Sequence, residues 1–220
     1  MITRTRIKFC GLTREEDVHD AVTIGADALG MVFFSKSRRA VSIEQASSLR
    51  AAVPPFINVV ALFVNADPEY VHEVVNTVKP DILQFHGTES PQDCERYGMR
   101  YMKAFRVGGP GMEARDEVLA ECRRYQSAHA WLFDSFSPGF GGSGEGFDLS
   151  LLGGVLNAPD ARPLVLAGGL TADNVAAHIR KVRPFAVDVS SGIEDAPGIK
   201  SAERMGAFFE AVRNADTLAG

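Results

Sequence analysis

The chain has 220 residues, 45% of them hydrophobic and 23% charged, which supplies a substantial core and shows none of the bias that marks disorder or low complexity. A formal net charge of −5 excludes general binding to nucleic acid or anionic membranes, both of which select basic surfaces. Cys10, Cys94 and Cys122 carry no CxxC or Cys/His spacing, which excludes a disulfide framework and a zinc site and points to a reducing, cytoplasmic setting.

From the N-terminus, short β-branched or aromatic runs alternate with amphipathic stretches, the pattern of repeated βα units and a parallel sheet. The first strand, Thr5–Cys10, begins too early for a signal peptide, and no apolar run approaches the roughly 18 residues of a membrane helix. Strands are predicted at Thr5–Cys10, Ala28–Phe33, Asn58–Val64, Ile82–Gln84, Arg100–Phe105, Ala130–Asp134, Pro163–Ala167 and Phe185–Val189. Helices are predicted near 14–24, 42–52, 68–78, 90–97, 111–126, 148–157, 171–182 and 199–213. Thr13 is placed to cap the first helix, Ser42 and Gln45 form a capping box, Asp67 precedes Pro68 at a first helical position, and Thr171 has Asn174 three residues on. Eight such units without a linker predict a single-domain α/β chain, a (β/α)8 TIM barrel over residues 1–220.

In such a barrel the loops after the strands build the site. Cys10 ends the first strand, either as a titratable thiol at the mouth or as a small buried hydrophobe. Asp134 leaves an apolar strand among Phe133, Phe136 and Phe140. Surroundings of that kind disfavour its ionised form and suit a proton donor; the alternative is a carboxylate bonded to its own loop. Gly168 and Gly169 after strand seven, with Ser190, Ser191 and Gly192 after strand eight, stand where barrels hold a phosphate on backbone N–H groups. Gly141 to Gly144 after strand six either extend that cradle or form a plain loop.

Lys36, Arg38 and Arg39 follow strand two. One guanidinium there suits two-point capture of a carboxylate, and the other two charges read as solvated. His86 sits at a strand end, to line the pocket or to satisfy a backbone group, and Asp188 lies in the last strand. Lys8 is expected on the face of its strand opposite Cys10, which leaves the thiol without a named activator. Cys94, Cys122, His19, His72, His129, His178 and Trp131 are read as structural.

The segments Lys8-Phe9-Cys10-Gly11-Leu12-Thr13, Ser37-Arg38-Arg39-Ala40-Val41, Leu83-Gln84-Phe85-His86-Gly87, Leu132-Phe133-Asp134, Gly141-Gly142-Ser143-Gly144, Ala167-Gly168-Gly169 and Val187-Asp188-Val189-Ser190-Ser191-Gly192, in this order, resemble the phosphoribosylanthranilate isomerase family of tryptophan biosynthesis. The resemblance implies Cys10 as general base, Asp134 as general acid and Arg39 as anchor for the anthranilate carboxylate. It also implies substrate contacts from His86, Gly142, Gly144, Gly168, Gly169, Asp188, Ser190, Ser191 and Gly192. The reaction so implied is an Amadori rearrangement of a phosphosugar-anthranilate substrate that needs no metal or redox cofactor. Phe9, Ala40 and Leu149 depart from the family pattern in the packing around the pocket. Another phosphosugar isomerase or epimerase, or a non-catalytic phosphate-binding barrel, remains the alternative, and both monomer and homodimer stay open.

Overall fold

The structure is a computed structural model and describes residues 4–136 and 146–217. Eight parallel strands close into a barrel in the order of the sequence. They are β1 (Arg6–Cys10), β2 (Ala28–Val32), β3 (Asn58–Phe63), β4 (Ile82–Phe85), β5 (Tyr101–Val107), β6 (Ala130–Ser135), β7 (Leu164–Leu166) and β8 (Ala186–Val189). Each is followed by a helix: α1 (Glu15–Ile24), α2 (Ile43–Ala51), α3 (Pro68–Val78), α4 (Pro91–Glu95), α5 (Arg115–Arg123), α6 (Gly153–Leu156), α7 (Ala172–Val182) and α8 (Ala202–Thr217).

Strand alternation sorts the core into two layers. Ile7, Phe9, Leu29, Met31, Trp131, Phe133 and Val187 point outward and pack, fully or almost fully buried, against the helices. Val60, Met102, Ala104, Leu132, Val165 and Ala167 fill the barrel interior. Above them a separate apolar patch of Cys10, Val32, Leu62 and Val64, with Phe34 against it, floors the mouth. The mostly small or branched inner residues follow from the limited space inside eight strands.

Helix ends follow local chemistry. Ser42 accepts the Gln45 N–H and caps α2; the Gln45 side chain does not return the bond but donates to Thr13 O across the α1 loop. Pro68 opens α3 after Asp67, and Asn174 accepts the Thr171 N–H before α7.

Besides the one-sided Ser42 cap, four expectations are corrected. Thr13 does not cap α1: the cap position is Arg14, and the Thr13 hydroxyl donates instead to Gly198 O at 2.5 Å. The fifth helix begins at Arg115 rather than 111, because Glu117 accepts the backbone N–H groups of Glu113 and Ala114 and sets the start there. The sixth helix is a 3₁₀ turn, Leu149–Leu152, and one α-helical turn; Gly153 and Gly154 each weaken a helix by about 1 kcal/mol. After β8 the chain forms a hairpin, β9 (Glu194–Ala196) and β10 (Ile199–Lys200), before α8. Residues 199–201 therefore do not belong to the last helix.

Candidate active site

The C-terminal ends of the strands surround a cavity that opens to solvent, the place where barrels of this kind hold their ligands. Cys10, Arg39, His86, Asp134, Asp188, and the pairs Gly168-Gly169 and Ser190-Ser191 all line it. Parity explains the convergence: Cys10, Asp134 and Asp188 each occupy the inward register of their strands, while Phe9, Phe133 and Val187 face the helices. Gly192 lies just behind, in an adjoining cleft with Thr171 and Arg204. Gly142 and Gly144 fall outside the described residues.

Of the three aromatic residues expected around the Asp134 carboxyl, Phe140 lies outside the described residues, and Phe133 and Phe136 do not surround it. Phe133 points away and stacks on Phe105 at 5.7 Å, and the Phe136 ring lies 4.7 Å beneath the Arg106 guanidinium. Asp134 instead accepts the Ser135 N–H at 2.8 Å and stands 3.2 Å from His86 Nε2. The Gln84 amide nitrogen is 3.2 Å from His86 Nδ1. From this contact the ring proton is assigned to Nε2, the nitrogen facing Asp134. Gln84 is fully buried on the pocket wall, and its Oε1 has no hydrogen-bond partner among the described residues. His86 thus lines the pocket and contacts Asp134 as well, a pairing its strand-end position did not reveal.

Cys10 is buried, and burial pushes its thiol up; the nearby Lys8 ammonium pulls it back, Asp188 pushes it up, and Lys200 pulls it down. Lys8 therefore does not lie on the opposite face. Residues two apart share a strand face, and Lys8, in register with Asp188 of β8, donates to its carboxylate at 2.8 Å inside the barrel.

Arg39 arrives already held. Its Nε and Nη2 each donate to Glu194 at 2.7 Å, a two-point pair. Glu194 also accepts from Lys200 Nζ at 2.8 Å and from the Gly198 N–H at 3.1 Å. Lys200 in turn donates to Ser190 O and Oγ, and Ser190 Oγ donates to Cys10 O at 2.9 Å. The hairpin after β8 thereby clamps the Ser190 loop, the arginine and the end of β1 together. The sequence gives neither Glu194 nor Lys200 a role in the site and places Lys200 in the last predicted helix. Lys36 and Arg38 are exposed, as expected of two of the three charges in that loop.

Two glycines decide the shape of the loops after β7 and β8. Gly168 has φ +82°, and a Cβ there would lie 2.6 Å from Ser135 N and 3.0 Å from Asp134 Oδ1. At Gly192 a Cβ would come within 2.0 Å of Leu170 O. At Gly192 the loop after β8 is therefore in direct backbone contact with the loop after β7, an approach that only a residue without a side chain allows.

A closed (β/α)8 barrel whose polar pocket opens at the C-terminal mouth, with a thiol, a carboxyl and a guanidinium around it, is the architecture of small-molecule barrel enzymes. The family model of N-(5'-phosphoribosyl)anthranilate (PRA) isomerase matches residues 7–211. The chain is 55% identical over 216 residues to the N-(5'-phosphoribosyl)anthranilate isomerase of Bordetella parapertussis, covering 98% of this chain and 99% of that one. A crystal structure of phosphoribosyl anthranilate isomerase in complex with reduced 1-(o-carboxyphenylamino)-1-deoxyribulose 5-phosphate superposes with a TM-score of 0.83 at 34% identity, covering 96% and 99% of the two chains. Monomers generated from the dimeric enzyme of Thermotoga maritima give 0.81 at 33% identity, covering 95% and 98%. The chain belongs to the phosphoribosylanthranilate isomerase family.

Proposed function

We propose that this chain, working as one barrel domain in the cytoplasm, isomerises N-(5'-phosphoribosyl)anthranilate to 1-(2-carboxyphenylamino)-1-deoxyribulose 5-phosphate in tryptophan biosynthesis. The observation that carries this reading is that Cys10 of β1 and Asp134 of β6 line one pocket together with Arg39 and the loops after β7 and β8. Asp134, protonated, donates to the furanose ring oxygen as the C1–O bond opens, leaving a protonated imine between the sugar and the anthranilate nitrogen. Cys10 as thiolate removes the C2 proton. The electron pair released moves into the iminium, and the enolamine so formed tautomerises to the ketone. His86 Nε2–H faces the carboxylate that Asp134 becomes after giving up its proton.

Arg39 keeps donors beyond the two spent on Glu194, and these grip the anthranilate carboxylate. The phosphate sits on the loops of Gly168, Gly169, Ser190, Ser191 and Gly192, where Ser190 is steadied by Lys200. The three-way pattern of thiol, acid and arginine favours this reaction over other phosphosugar isomerisations.

Turnover followed by loss of substrate fluorescence tests the reading. Cys10→Ser and Asp134→Asn should each lower kcat by about 10²–10⁴-fold with KM little changed. Near-normal turnover in either variant removes that residue from the mechanism.

The chain also pairs as a homodimer through the face opposite the mouth. Phe56, in the loop between α2 and β3, is fully exposed and held at φ +74°. A large apolar ring in a strained, solvent-facing position suits an interface, and a relative is described as dimeric.

A further inference from the structure

Charged groups face Cys10 from four elements: Lys8 on β1, Asp188 on β8, Lys200 on β10, and Arg39 from the loop after β2. Three of them are committed elsewhere or carry the wrong sign. Arg39 and Lys200 share Glu194, and Lys200 also donates to Ser190; Asp188 opposes a thiolate. Lys8 is placed differently. It spends one donor on Asp188 at 2.8 Å, and it lies two residues from Cys10 on the same inward face. The neighbouring strand clears the ground between them: a Cβ at Gly30 would lie 2.8 Å from Cys10 Sγ and 3.0 Å from Lys8 Nζ. Sulfur and ammonium meet over a residue that has no side chain to separate them.

We propose that Lys8 is the positioning residue that makes Cys10 a usable base, its buried ammonium, held by Asp188, standing ready as the counter-charge of the thiolate. The inference rests on the reading of Cys10 as the base. Burial works against the Lys8 charge, and the Asp188 carboxylate together with Cys10 outweighs it, so the ammonium stays above the ordinary lysine range. Burial also pushes the Cys10 thiol up, and Lys8 is the strongest influence holding it down. When the thiol ionises, its proton leaves through the open pocket. The negative charge then forms beside a cation already in place, with no reorganisation at the moment of reaction. Asp188 serves the base by holding Lys8.

The test is the pH profile of Cys10 alkylation by iodoacetamide in the intact protein, read by peptide mass. Cys94 and Cys122 are fully buried, and burial pushes Cys94 up to about 12 and Cys122 higher still, so both should stay unlabelled. In Lys8→Met the alkylation midpoint should rise by about one pH unit or more, a roughly tenfold slower reaction at neutral pH. kcat should fall more than KM rises, and Lys8→Arg should restore most of the profile. Lys8→Met leaves Asp188 without its cation; should it fail to fold, Lys8→Met with Asp188→Asn removes both charges. Its midpoint should still rise, because Lys8 outweighs Asp188 at the sulfur. An unmoved midpoint in the folded variant overturns the proposal while leaving Cys10 as the base. Near-normal turnover of Cys10→Ser overturns the base reading itself, and the midpoint shift then measures a lysine without catalytic purpose.

Discussion

Glu194→Gln isolates the clamp that holds Arg39 and the Ser190 loop. The Glu194 side chain is 5% exposed, that of Lys200 0% and that of Arg39 13%, so these charges are paired out of water. Breaking a buried pair by neutralising one partner costs about 3–5 kcal/mol. Glutamine keeps one oxygen and part of the bonding, which puts the loss near the lower end, about 3 kcal/mol. For a domain of this size that is a fall in Tm of about 6–12 °C. The pH dependence gives the origin. Burial raises the Glu194 carboxyl, but the Arg39 hydrogen bonds and the Lys200 charge more than offset it, and its folded value lies below the ordinary carboxylate range. A depressed acid contributes its stability fully above that range and loses it as pH falls through the folded value. The gap between the native chain and the variant should therefore be constant near neutrality and close in acid. Thermal unfolding followed by circular dichroism at both pH values measures it. A loss below about 1 kcal/mol, the worth of an exposed pair, would refute the clamp, and a gap that persists in acid would refute its ionic origin.

Arg39→Ala should raise KM about 10- to 100-fold, the worth of a charged hydrogen-bonded contact, with kcat nearly kept; an unchanged KM discredits the carboxylate anchor. Gln84→Met removes a buried acceptor that has no partner among the described residues, so Tm should hold or rise while turnover drops because His86 loses the contact at Nδ1. A fall in Tm would show that Oε1 is satisfied after all. Gly192→Ala forces apart the loops that meet at Leu170 O; kcat/KM should fall by about 10²-fold, as for a shift of about 1 Å at a site, and inorganic phosphate should inhibit less well. Phe56→Asn replaces an apolar anchor with a residue at home at positive φ, so sedimentation should report a monomer with undiminished Tm, and a surviving dimer would exclude that face.

The barrel was readable because its strands are buried on both sides. Runs such as Asn58 to Val64 stand apart from the polar turns around them, and all eight predicted strands overlap those observed. Helix ends were less readable, because they depend on partners remote in sequence. Thr13 has the chemistry of a cap, yet its hydroxyl is taken by Gly198, 185 residues away. The hairpin at Glu194–Lys200 was invisible for the same reason: what holds it is an arginine from the loop after β2, and no local pattern announces that pairing.

The site divides along a similar line. Cys10, Asp134, and the loops of Gly168 and Ser190 were readable because a strand end followed by glycine or serine marks the mouth of a barrel. Lys8 was readable as well, given strict use of parity. Ile7 and Phe9 pack outward, so Lys8 must enter the barrel with Cys10. The same rule applied to Leu83 and Phe85 sends Gln84 inward, and applied to Val187 and Val189 it sends Asp188 inward. A polar residue at an inward position, among the valine, alanine, leucine and methionine of the interior, bears a desolvation cost of about 1–3 kcal/mol unless it is paired. Lys8 and Asp188 meet that cost with each other, and Gln84 meets half of it through His86. Parity within each strand therefore locates the polar groups beneath the pocket, and the register between strands decides which of them become partners.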